Sequence, residues 1–119
     1  MCHALLDEPP AGKIAQKGKY ARTAIEELLR ELRRQGIDKA NLTARLFGGA
    51  SMFDADKSKF FHNIGESNVA VSRATLEKEG IAIIEEDVGG SSGRTITFFL
   101  DDGRILLRSG TQERYIYKA

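Results

Sequence analysis

The sequence predicts an α/β fold, a single domain spanning residues 1–119 in which a mixed β-sheet layer carries two main helices. Three observations point there. The stretch "YARTAIEELLRELRRQG" carries apolar residues at helical spacing, "NLTARLF" alternates with period two, and the last third reads as strand, turn and strand. With 119 residues and 41% hydrophobic content, the chain can bury one real but modest core.

The elements follow in order. His3 to Leu6 reads as the end of a short strand, because a brief apolar run stops at "DEPPAGK", whose prolines and glycine forbid regular pairing. A loop continues to about Lys19. The first helix then places Ala21, Ile25, Leu28, Leu29 and Leu32 on one face, with Gly36 where a left-handed cap belongs. Its arginine-rich end suits the negative pole of the helix dipole and reads as a solvated face. In "NLTARLF", Leu42, Ala44 and Leu46 alternate with Thr43 and Arg45, and the strand ends at Gly48-Gly49.

The polar stretch from Phe53 to Asn63 has three aromatics and no period, which predicts a loop. A surface helix is expected from about Ser67 to Glu79, closed by Gly80. After it, "IAIIEED" reads as a buried strand, "VGGSSG" as a loop, "RTITFFL" and "RILLRS" as strands joined by a "DDG" turn, and "RYIY" as a last short strand. The order β, α, β, α, β, β, β gives the mixed layer with two helices against it.

Composition narrows the function classes. Eighteen Lys and Arg against 17 Asp and Glu leave a net charge of +1, so nothing electrostatic points to nucleic acid or a membrane surface as the main partner. No stretch approaches the roughly 20 apolar residues of a membrane span, so no membrane insertion is expected. One cysteine cannot form an internal disulfide, and the default compartment is the cytoplasm.

Local chemistry offers three candidates. Cys2 and His3 suggest a thiol and base, but adjacent side chains on a strand point to opposite faces, so they make poor partners. Cys2, His3 and His62 lack any familiar metal-ligand spacing. "GGSSGR" offers a nest of backbone amides with Arg94 as counterion for a phosphorylated small molecule, yet it precedes a strand and matches neither dinucleotide nor P-loop spacing. A tight connection between strands is the simpler reading. "FGGASMF" carries the same ambiguity between a sharp turn and a close ligand approach.

Taken together, "MCHALL", "YARTAIEELLRELRRQGID", "ARLFGGASMF", "NIGESNV" and "EDVGGSSGRTITFFLDDGRIL" resemble the CheD family of chemoreceptor glutamine deamidases, in order and over nearly the whole chain. The resemblance implies a CheD-like sandwich fold and hydrolysis of glutamine carboxamides on methyl-accepting chemotaxis receptors, with receptor glutamate methyl esters as further substrates. It implies Cys-His chemistry, in which a thiolate attacks the carboxamide carbon and a histidine relays the proton to departing ammonia. A threonine orients the histidine, and no metal or organic cofactor is implied. Receptors are the implied partners, together with a CheC-type phosphatase that occupies the receptor-binding surface. The stretch Phe53 to Phe61, with Phe60 and Phe61 adjacent in a polar loop, is a candidate for part of that surface, the alternative being that the rings simply cap the core.

Carried over residue by residue, the family's catalytic histidine corresponds to His3 in "MCHALLDEP". The nucleophile belongs to an upstream "GSC" motif with no counterpart in these 119 residues, and Cys2 falls where the family has another small residue. The resemblance therefore implies a CheD-like deamidase domain lacking its N-terminal strands, inactive as given. A start assigned too late is expected in preference to a truncated relative, and either predicts marginal stability or self-association of the isolated chain. The alternative is a non-catalytic binding module for receptors or the phosphatase.

Overall fold

A computed structural model describes residues 1–10, 16–51 and 59–117, the side chains of 59–63 excepted. The first helix, α1, spans Ala21–Arg34, as its apolar spacing predicts. Gly36 ends it at φ 86°, with the Ile37 amide donating to Leu32 O across the cap at 3.0 Å. That left-handed geometry is open to glycine at little cost.

Strand β1, Thr43–Gly48, leads into α2, Lys59–Lys78, and then into β2, Ala82–Val88, which pairs with β1 in parallel. Strands β3 (Thr95–Phe98), β4 (Ile105–Ser109) and β5 (Gln112–Ile116) form an antiparallel meander in that order. The α/β class with two helices and both parallel and antiparallel strands is as the sequence predicts. The strands are hydrogen-bonded as two separate sheets.

Two apolar clusters lie on opposite faces of the β1–β2 pair. Ile25, Leu76 and Ile81 form one, joined by Leu29, Leu42, Ala44, Leu46 and Ile83. Ile105, Leu107 and Ile116 form the other, joined by Ile96 and by Phe47 of β1. Alternation along β1 explains the division, since Ala44 and Leu46 point to the helices and Phe47 to the antiparallel sheet. Each face of the parallel pair thus borders an apolar cluster, although its residues stay partly exposed.

Five expectations need correction. Residues 3–6 form no strand, and only an isolated parallel bridge joins Leu6 to Tyr20, because the Leu5 and Leu6 amides and the Leu6 carbonyl are taken by the turn before α1 and the Leu5 carbonyl by Asn68. Helix α2 starts at Lys59 rather than Ser67, so 59–63 are helical, and 53–58 of the predicted loop lie outside the described residues. Nor is α2 a purely surface helix, since Gly65, Thr75 and Leu76 are buried. The "IAIIEED" strand is not buried throughout. Its pairing with β1 shifts between Ala44 and Arg45, leaving Ile84 unpaired and 44% exposed. That bulge reverses the alternation beyond it, turning Glu86 toward α2 and Glu85 and Asp87 toward the antiparallel sheet. The last strand also begins two residues earlier than "RYIY" suggests.

Candidate active site

The glycine-rich motifs, far apart in sequence, converge at the C-terminal ends of the parallel strands, where ligands of open α/β sheets bind. The loop after β1 and the loop after β2 are laced together. The Gly89 amide donates to Gly48 O at 2.8 Å, and the Ser51 amide donates to Gly90 O at 2.9 Å. Arg94, 10% exposed at its side chain, donates to Asp87 Oδ1 at 2.8 Å and to Gly48 O at 3.2 Å. The arginine of "GGSSGR" is therefore a brace between loops rather than a counterion awaiting a phosphate.

Asp87 also accepts from Arg114 at 2.9 Å. The hydrogen bond from Arg114 first, and that from Arg94 next, hold its carboxyl below the usual carboxylate range. On the opposite face, Arg73 Nε and Nη2 donate to the two Glu86 carboxylate oxygens at 2.8 Å and depress that carboxyl likewise. These pairs lock β2 to its two neighbours, and the bulge at Ile84 is what aims the three acidic residues in two directions.

Helix α2 presses on the β1 loop through two glycines. A Cβ on Gly65 would collide with Gly49 O and lie 2.8 Å from Gly49 C and 2.9 Å from Ala50 O, all backbone atoms. One turn on, Asn68 Nδ2 donates to Leu5 O at 3.1 Å. This bond ties the N-terminal segment to α2 one turn beyond the glycine contact, with His3 two residues before the tethered carbonyl. His3 is exposed, in irregular backbone, and its ring has no partner among the described residues.

Cys2 is placed differently. It lines a shallow recess of about 330 Å³ with Gly18 and the α1 residues Ala24, Glu27, Leu28 and Glu31. The residue as a whole is exposed, but its thiol lies against that surface, and desolvation there raises its pKa despite the nearby amino terminus. A thiol held protonated on α1 is the opposite of an activated nucleophile. His62 and the Phe60–Phe61 pair have side chains outside the described residues. Among the described residues, no group of acidic, His or Cys side chains could hold a metal ion, and no helix is long and apolar enough to cross a membrane.

The sequence marked "NIGESNV" as a motif without giving Gly65 or Asn68 a task. No local signal carries one, because both partners lie elsewhere in the chain. The chain is similar to known proteins over most of its length. Residues 5–109 match the profile of the CheD family, described as "CheD chemotactic sensory transduction". A Methanococcus maripaludis protein named "Probable chemoreceptor glutamine deamidase CheD" is 38% identical over 116 residues, 98% of this chain and 74% of the relative. A Pyrococcus horikoshii protein of the same name is 41% identical over 121 residues, 99% of this chain and 73% of the relative. The Thermotoga maritima "Chemoreceptor glutamine deamidase CheD" is 36% identical over 108 residues, 91% of this chain and 66% of its own length.

Proposed function

The chain belongs to the CheD family, and on that premise we propose that it serves in the deamidation of chemoreceptor glutamines, with His3 as general base and acid. The observation that supports this reading is the tether of the His3 segment, through Leu5 and Asn68, to α2 one turn from where that helix packs on the glycine loop after β1. In the proposed reaction His3 takes the proton of a cysteine thiol, and the thiolate adds to the glutamine carboxamide carbon. The intermediate collapses as His3 gives its proton to the departing ammonia, leaving a thioester. Water, deprotonated by His3, then releases glutamate and restores the thiol. A receptor methyl ester would follow the same course with methanol as leaving group.

Cys2 is not the attacking thiol in this scheme. It adjoins His3 in sequence, rests on α1, and has a raised pKa. It is also the sole cysteine of the 119 residues, so these residues alone are proposed to supply no nucleophile and to be inactive. Ammonia release from receptor fragments tests the scheme. The 119-residue chain should show no turnover, and the form that carries an upstream "GSC" segment should lose turnover on His3→Ala and keep it on Cys2→Ala. Turnover by the 119-residue chain that Cys2→Ala abolishes would make Cys2 the nucleophile and overturn the assignment.

A second reading, a non-catalytic binding module for receptors or a CheC-type phosphatase, is favoured by one feature. Phe98, Leu100, Tyr115 and Tyr117 are 40%, 86%, 48% and 68% exposed around the antiparallel sheet, an apolar surface of the kind that docks proteins. Binding of receptor fragments that Leu100→Lys weakens, without any deamidation by the "GSC"-bearing form, would favour it.

A further inference from the structure

Among the described residues Asn68 satisfies one of its two polar atoms. Its Nδ2 donates to Leu5 O at 3.1 Å, while its buried Oδ1 meets no donor among them. The amide cannot be turned over to relieve this, because Leu5 O is an acceptor and must face the NH₂ group. A buried unpaired acceptor costs at least as much as a single neutral hydrogen bond returns in net stability. The side chain therefore adds little or nothing to the stability of the fold.

Its geometric effect is larger. The turn before α1 holds the segment from below, with the Leu5 and Leu6 amides donating to Lys19 O at 2.8 and 2.9 Å and the Ala21 amide donating to Leu6 O at 2.7 Å. All of these act from the α1 side. Asn68 reaches the segment from α2, and it fixes the Leu5 carbonyl, whose Cα lies within about 7 Å of the His3 Cα. Held from one side, a short irregular segment can still pivot, and a second attachment from another element removes that freedom.

We propose that Asn68 is a positioning residue, adding little or nothing to stability, that fixes the segment bearing His3 against α2 one turn from the Gly65–Gly49 contact. This rests on the proposed role of His3 for its catalytic meaning, but the placement itself can be measured without turnover. Asn68→Leu is nearly isosteric and removes both the bond and the unpaired oxygen, and Asn68→Ala serves should leucine pack badly. Backbone order from nuclear relaxation of the full 119-residue chain should be close to rigid at His3, Ala4 and Leu5 in the wild type. In both variants it should fall to flexible values, below about 0.6, with Tm within about 4 °C of wild type. In the deamidating form the same variants should lower kcat at least tenfold with KM little changed. Unchanged order at His3 in both variants would overturn the inference, as would a large loss of Tm in both, which would make the residue structural. A failure of deamidation in the wild type overturns the proposed function and leaves the order measurement to decide the inference alone.

Discussion

Gly65 sits inside α2, where replacing glycine by alanine ordinarily stabilises a helix by about 1 kcal/mol. Here the added methyl would point into the loop after β1. It would overlap Gly49 O and crowd Gly49 C and Ala50 O at 2.8 and 2.9 Å. These are backbone atoms, and the loop cannot swing aside without breaking the bonds that lace it to the β2 loop, from Gly89 to Gly48 O and from Ser51 to Gly90 O. Overpacking of this kind costs up to about 3 kcal/mol, so after the helical gain the net loss for Gly65→Ala is about 2 kcal/mol. For a domain of this size that lowers Tm by about 8 °C. Thermal unfolding followed by circular dichroism reads the shift, with Gly18→Ala as the control, since a Cβ there meets no atom within 4 Å. Gly18→Ala should leave Tm unchanged or slightly raised. An equal or higher Tm for Gly65→Ala would refute the claim that helix and loop are in fixed backbone contact.

Two further outcomes follow from the ionisable groups. The Asp87 carboxyl is depressed in the folded chain, so its contribution to stability is complete above the unfolded value and is lost as pH falls through the folded one; unfolding midpoints should drop below about pH 4. Asp87→Asn should flatten that acid slope, and an unchanged slope would show that its bonds to Arg114 and Arg94 do not persist in solution. Cys2, with its raised pKa, should react with iodoacetamide at pH 7 several-fold more slowly than an ordinary cysteine thiol and accelerate as pH rises. A rate at or above that of free cysteine would restore it as a candidate nucleophile.

Local pattern was enough for α1, β1 and the β3–β4 hairpin, because burial of one face imposes a period on the residues that form it. The α2 start was not legible in the same way. Gly65 weakens the helical signal, and what makes glycine fit is a loop sixteen residues earlier. The first strand failed for a related reason. An apolar run in "HALL" is compatible with a strand, but Lys19 O and Asn68 claim its backbone groups instead.

The sequence by itself determined the α/β class, the CheD resemblance, the single cysteine and the adjacency that makes Cys2 and His3 poor partners. The tertiary structure decided what those residues meet. It placed Cys2 on α1, turned Arg94 from an anion-site candidate into a brace, and brought Asn68 to a carbonyl 63 residues away. Periodicity records which face is buried, whereas a single hydrogen bond or a glycine contact between distant segments has no period to betray it.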